Sequence, residues 1–225
     1  LQATSYLLSG LPTVIISSVS CIYGLGNPGT YKSFGMEFKR GMKIKRKELL
    51  HQLVKMQYER NDAVLQKGSF RIRGDLLEVF PPFADSALRI SFVDADGDSD
   101  MDAGRISGQD TVGRIESFDI LSAKKTQVAS YLLLPAKHFV VSDEIKDEAL
   151  ASIRAELEEY APNLKPLERQ RLEQRTKYDL EMIQELGYCS GIENYSRHFD
   201  GRVPGSRPYC LLDYFPEDFL MFIDE

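Results

Sequence analysis

The run Leu220-Met221-Phe222-Ile223, followed at once by Asp224-Glu225, constrains the fold more than any other stretch of this 225-residue chain. A short apolar segment without a polar interruption is the pattern of a strand buried on both faces of a parallel sheet, which points to an α/β protein. Carboxylates placed where such a strand emerges stand at the carboxyl edge of the sheet, where open α/β folds bind ligands. There, one acid can hold Mg²⁺ and the next can orient a water for attack on a phosphoryl group. The same letters also fit a core strand with a solvated acidic tail. Because the chain stops inside this pattern, the expectation is a piece of something longer.

Residues 13–20 (TVIISSVS) are β-branched and uninterrupted, a second candidate for a buried strand. They run into Gly24-Leu25-Gly26-Asn27-Pro28-Gly29, which matches G-x-G-x-x-G by letter. That fingerprint works only when a helix opens inside it and turns its N–H groups toward a pyrophosphate. Pro28 and the following Thr30-Tyr31-Lys32-Ser33 show no helical apolar spacing. The expectation here is a loop, not a dinucleotide site.

From Phe34 the texture changes. Leu49, Leu50, Leu53, Val54 and Met56 predict a short amphipathic helix over residues 47–58. Ser69-Phe70-Arg71-Ile72-Arg73 and Leu76-Leu77-Glu78-Val79-Phe80, joined by Gly74-Asp75, read as a β-hairpin. Residues 88–93 and 113–120 supply further strands, giving a small antiparallel α+β domain. Between those strands, aspartates alternate from Asp94 to Asp102. A calcium loop counted from Asp94 would need Gly at its sixth place and Glu at its twelfth, and those places hold Ser99 and Arg105. An acidic surface loop fits better.

After His138-Phe139-Val140-Val141 the pattern turns helical. Ser142 is a suitable N-cap with Asp143 and Glu144 in the first turn, and Ile145, Ala149, Ile153 and Leu157 step along one face. Pro162 and Pro166 break this helix. A second one runs over about residues 167–186 and ends at Gly187 in the C′ place. Its face with Arg171, Arg175, Tyr178 and Met182 could track phosphates and stack a base, or be a solvated charged face.

Composition narrows the classes. A net charge of −6 means that any nucleic-acid role must rest on a local basic face. Cys21, Cys189 and Cys210 show no CxxC spacing and read as reduced, mostly buried thiols. No apolar stretch reaches membrane-span length and no charged leader opens the sequence, so the expectation is a cytoplasmic protein without a membrane partner.

Longer runs carry a resemblance. Gln174-Arg175-Thr176-Lys177-Tyr178-Asp179-Leu180-Glu181-Met182 is followed by Gly191-Ile192-Glu193-Asn194-Tyr195-Ser196-Arg197-His198, then by Leu211-Leu212-Asp213-Tyr214-Phe215-Pro216 and Ile223-Asp224-Glu225. Earlier stand Ser18-Val19-Ser20-Cys21-Ile22-Tyr23-Gly24, Met56-Gln57-Tyr58-Glu59-Arg60-Asn61-Asp62 and Phe70-Arg71-Ile72-Arg73-Gly74-Asp75. In this order, over nearly the whole chain, they resemble the UvrB family, the damage-verifying helicase-like subunit of bacterial nucleotide excision repair.

The resemblance implies an α/β fold containing parts of a RecA-like P-loop helicase domain with an inserted small antiparallel α+β domain. Residues 1–33 would belong to the first helicase domain and 34–139 to the inserted domain that docks the damage-recognition ATPase UvrA. Residues 140–225 would return to the helicase domain and its DNA-clamping extension. Arg60, Arg71 and Arg73 match positions that contact UvrA. Arg71 and Arg73, two apart on a strand, share a face and present forks suited to carboxylates. Arg175 and Glu193 match positions for DNA contact and for locking the DNA-clamping hairpin, with Tyr178 on the same helix face as Arg175. Asp224 and Glu225 match the metal-holding and water-orienting acids of the Walker B motif. ATP and Mg²⁺ would serve the full-length protein, with damaged DNA and UvrC as its further partners. The sequence departs from the family in lacking a phosphate-binding Gly-x-x-x-x-Gly-Lys-[Ser/Thr] loop, the damage-probing hairpin and the second helicase domain, so this chain alone is expected to be inactive toward ATP. Ser91 stands where the family usually carries an acid that helps contact UvrA. An alternative is the non-catalytic UvrA-binding module of a transcription-repair coupling factor, which has no chemical reason to keep Asp224-Glu225 and the 174–182 and 193–198 runs. An oxidoreductase built on the Gly24–Gly29 segment lacks both the helix and a ribose-binding acid.

Overall fold

The computed structural model describes residues 1–94 and 110–224. The acidic segment past Asp94 and the terminal Glu225 lie outside the described residues. In chain order the helices are α1 (Gln2–Leu8), α2 (Pro28–Ser33), α3 (Arg46–Lys55), α4 (Asp143–Tyr160), α5 (Pro166–Leu186) and α6 (Ser196–Asp200). The strands are β1 (Met36–Lys39), β2 (Lys43–Ile44), β3 (Glu59–Arg60), β4 (Ser69–Arg73) and β5 (Leu76–Phe80), then β6 (Ala87–Asp94), β7 (Asp110–Phe118), β8 (Lys125–Gln127) and β9 (Ser130–Leu133). They make a mixed α and β protein whose contacts group into two units, Leu1–Thr13 with Lys32–Lys137, and Val14–Tyr31 with His138–Glu225.

The first unit is built on a sheet in the order β2-β7-β6-β5-β4-β3, with β8 also on β7, while β1 and β9 pair separately. All pairs are antiparallel except β3 with β4. The predicted hairpin forms, with Arg73 opposite Leu76 and Gly74 at φ 58°, a conformation that costs glycine little at the first place of a tight turn. A register shift between β6 and β7 falls at Gly113, a usual place for glycine in a strand. Because side chains alternate, the cross-strand row Ile72, Leu77, Ile90 and Ile115 faces inward. Leu49 and Leu53 of α3 complete that core. Arg71 and Arg73 belong to the opposite face.

The second unit is helical. Ser142 caps α4 by accepting from the Ile145 N–H at 3.4 Å, and Gly187 ends α5 in the left-handed conformation at φ 68°. Ala149 and Ile153 of α4 pack with Leu180 and Ile183 of α5 around Cys189, Ile192 and Phe199. Tyr31, His138 and Tyr214 form a second, aromatic cluster, in which the Tyr214 hydroxyl donates to the Gly26 carbonyl at 2.8 Å.

Four sequence expectations are corrected. Residues 13–20 form no strand: Val14 and Ile16 are 90% and 96% exposed, and only Val19–Ile22 make a 3₁₀ turn. Leu220 and Phe222, at 86% and 89% exposure, likewise lie in no strand. An apolar run says what a segment gains on burial, but a strand also needs a neighbour's hydrogen-bond ladder, and no described strand lies beside either run. Conversely, a helix does open after Gly26. Asn27 Oδ1 accepts from the Gly29 and Thr30 N–H groups at 2.8 and 3.2 Å, so a side-chain cap starts α2 without apolar periodicity. No strand precedes α2, and the dinucleotide reading stays excluded. Of the cysteines, Cys189 is buried, Cys210 half-buried and Cys21 exposed, against the expectation that most would be buried.

Candidate functional site

The outer face of the first unit's sheet carries a row of charges that the strand register places side by side: Arg71, Glu78, Arg89 and Glu116. Glu78 is the centre of it. Its side chain is only 6% exposed, and it accepts from Arg71 Nε at 2.5 Å and from Arg89 Nε at 2.8 Å. Burial pushes the Glu78 carboxyl up, but the hydrogen bonds from the two guanidiniums outweigh burial and hold it below the usual glutamate range. Arg89 also lies over the Phe118 ring, 4.6 Å from its centroid.

Arg60 and Arg73 meet elsewhere, at Asp62. Arg60 Nε lies 2.9 Å from Asp62 Oδ2, Arg73 Nη2 donates to the Asp62 carbonyl at 3.4 Å, and Asp62 Oδ1 accepts from the Ile72 N–H at 3.3 Å. Thus Arg60 and Arg73 converge at the sheet edge formed by β3, while the Arg71 fork is turned toward Glu78. Glu78 was legible in principle, since counting back from the Gly74-Asp75 turn pairs Arg71 with it. Arg89 was not, because β6 follows a longer connection of unspecified length in register terms. Ser91 Oγ accepts from the Arg114 N–H at 3.0 Å.

In the second unit, Arg175 and Tyr178 of α5 are exposed, the Arg175 side chain at 65% and Tyr178 at 61%. Arg171 is exposed too, whereas Met182 turns into the helical core. Beneath Arg175 lies the buried Asp179, which accepts from the Tyr195 hydroxyl at 2.8 Å and sits 3.6 Å from Arg175 Nε. Burial, then the bond to Asp179, pushes the Tyr195 phenol up to about 12. Burial, then the Asp179 and Glu193 carboxylates, pushes the Cys189 thiol up to about 11, with Arg175 acting the other way. Arg175, Asp179, Cys189, Glu193 and Tyr195 therefore share one electrostatic neighbourhood. Glu193 is exposed, and Gly24 packs beside it: a Cβ on Gly24 would stand 3.7 Å from Glu193 Cγ. Asp179 and Tyr195 were missed by sequence reasoning, since nothing in spacing brings residues 179 and 195 together. His198, elsewhere on α6, bridges Ser152 Oγ at 2.9 Å and Glu156 Oε2 at 2.7 Å.

Asp224 is exposed and follows the unpaired run. Mg²⁺ demands six oxygens in near-octahedral array. Among the described residues no group of three or more His, Cys, Asp or Glu could hold a metal. Asp224 alone does not make such a site, and no nucleotide chemistry follows from its geometry here. Among the described residues no helix is long and apolar enough to cross a membrane.

Residues 36–99 match the UvrB interaction domain and residues 144–201 the UvrB third helical domain. UvrABC system protein B of Methanococcus maripaludis is 48% identical over 226 residues, which cover all of this chain and 33% of that protein. The proteins of the same name from Methanosarcina acetivorans and Streptococcus pyogenes are 45% and 46% identical, again over the whole chain and 32% of each relative. The chain spans about a third of the length of the curated relatives it matches.

Proposed function

The chain belongs to the UvrB family, and from that premise we propose that its first unit docks UvrA through the outer face and β3 edge of its sheet. The observation that carries this is the convergence of Arg60 and Arg73 on Asp62 at an open sheet edge, beside the row in which Glu78 fixes Arg71. Partner carboxylates would take up the outward donors of these forks, and Arg71 would act as a pre-set member of the surface. The test is calorimetric titration of UvrA with the parent and with variants. Arg60→Ala and Arg73→Ala should each cost about 1–3 kcal/mol if the pair each one makes is desolvated. Rising salt should weaken the parent complex. Unchanged affinity in the Arg60/Arg71/Arg73 triple alanine variant refutes the reading.

In a protein of the relatives' length, we place residues 1–33 and 140–225 in a RecA-like helicase domain and its DNA-clamping extension, with 34–139 as the inserted docking domain. That protein would verify damaged DNA using ATP and Mg²⁺ and pass it to UvrC. Arg175 and Tyr178 would meet DNA, and Glu193 would help lock the clamping hairpin. Asp224 and Glu225 would supply the metal-holding and water-orienting acids, completed by donors beyond the described residues. The non-catalytic module of a coupling factor is not favoured, because the similarity to UvrABC system protein B covers the third helical domain as well as the interaction domain.

A further inference from the structure

We propose that Asp179 and Tyr195 are positioning residues for Arg175, holding its guanidinium ready for a nucleic-acid phosphate. This rests on the reading that Arg175 contacts DNA. On α5, residues 175 and 179 lie one turn apart on the same face. The Asp179 side chain is nonetheless buried, and a buried carboxylate persists only when its oxygens are bonded and its charge is balanced. The Tyr195 hydroxyl fills the first need at 2.8 Å, and the Arg175 guanidinium, with Nε at 3.6 Å, fills the second. Tyr195 in turn is fixed by the 3₁₀ turn Ile192–Tyr195, which Gly191 enters in the left-handed conformation at φ 80°.

Gly191 also makes room. A Cβ there would stand 3.3 Å from Arg175 Nη2 and 3.0 Å from Asn194 Nδ2, so both side-chain ends would have to give slightly, and the left-handed backbone would strain any other residue. Arg175 is thus braced on its Nε side by Asp179 while most of its side chain remains exposed. A long side chain ordered beforehand loses less freedom when it binds an anion. The helix, the turn and the glycine together form a mount for one cation.

The test uses the full-length protein and a fluorescein-labelled oligonucleotide, titrated over a range of salt. Arg175→Ala should weaken binding and reduce the salt slope by about one unit. Asp179→Asn and Tyr195→Phe should each weaken binding on the order of 3- to 10-fold, the range for ordering one long side chain. In the Arg175→Ala background neither should have any further effect, which a merely structural role would not produce. Equal losses with and without Arg175 would overturn the positioning role, as would unaltered affinity in both Asp179→Asn and Tyr195→Phe while Arg175→Ala weakens binding. No effect of Arg175→Ala would instead overturn the DNA-contact reading itself, and the proposal with it. Thermal melting checks each variant's fold. Tyr195→Phe, which removes one hydroxyl only, serves if Asp179→Asn does not fold.

Discussion

Replacing Glu78 by glutamine should destabilise the first unit at neutral pH and cease to do so in acid. The carboxylate accepts from Arg71 and from two nitrogens of Arg89 while its side chain is 6% exposed. Glutamine keeps one acceptor oxygen, but its amide hydrogens face a guanidinium, donor against donor. Breaking a fully buried ion pair costs about 3–5 kcal/mol. Here Arg71 and Arg89 keep 18% and 22% side-chain exposure and can turn toward water, so a loss of about 2 kcal/mol is expected. The folded carboxyl titrates below its unfolded value of about 4.3. A depressed carboxyl contributes stability that is complete above the unfolded value and is lost as pH falls through the folded one. The parent's advantage should therefore be full at pH 7 and shrink progressively below about pH 4. Hydrogen-exchange protection of the β4, β5 and β6 amides reads the opening energy of this unit separately from the other. Equal protection of parent and Glu78→Gln at pH 7 would refute the reasoning. So would a difference that stays constant as pH falls below the unfolded value.

Arg46 binds Asp110 through Nε and Nη2, both at 3.1 Å, and also Asp75 and the Gly74 carbonyl. Arg46→Ala leaves the buried Asp110 uncompensated and should cost about 1–3 kcal/mol, with Arg46→Lys recovering part of it, again read by exchange in β7. Gly26→Ala would place a methyl 2.8 Å from the His138 carbonyl oxygen and should destabilise the second unit by about 1–3 kcal/mol in thermal unfolding. The 225-residue chain should neither bind ATP tightly nor hydrolyse it, since its sequence holds no Gly-rich phosphate cradle with a following Lys; turnover from rigorously purified chain would contradict this. In the full-length protein Asp224→Asn should weaken Mg·ATP binding and abolish turnover, whereas Glu225→Gln should leave binding largely intact while turnover falls; parental turnover in the latter would remove Glu225 from catalysis.

Local chemistry written into consecutive residues was legible from sequence. The Gly74-Asp75 turn, the Ser142 cap and the Gly187 stop each act within a few residues of chain, and each formed where the letters placed it. The long ordered runs through Arg175 and Glu193 made the family recognisable for the same reason. Asn27 shows the limit of periodicity as a guide, because a cap can start a short helix that buries no apolar stripe. Tertiary structure decided the rest. Residues 13–20 and 220–223 read as strands, yet an apolar pattern names no neighbour, and without one the ladder does not form. Arg71 and Arg73 share a face by strand period alone, but the fork of one meets Glu78 while the other meets Asp62. Asp179 and Tyr195 meet only because α5 and a 3₁₀ turn pack against a common core. Spacing along the chain fixes the direction in which a side chain points, whereas its charge partner is set by which surface the fold brings opposite.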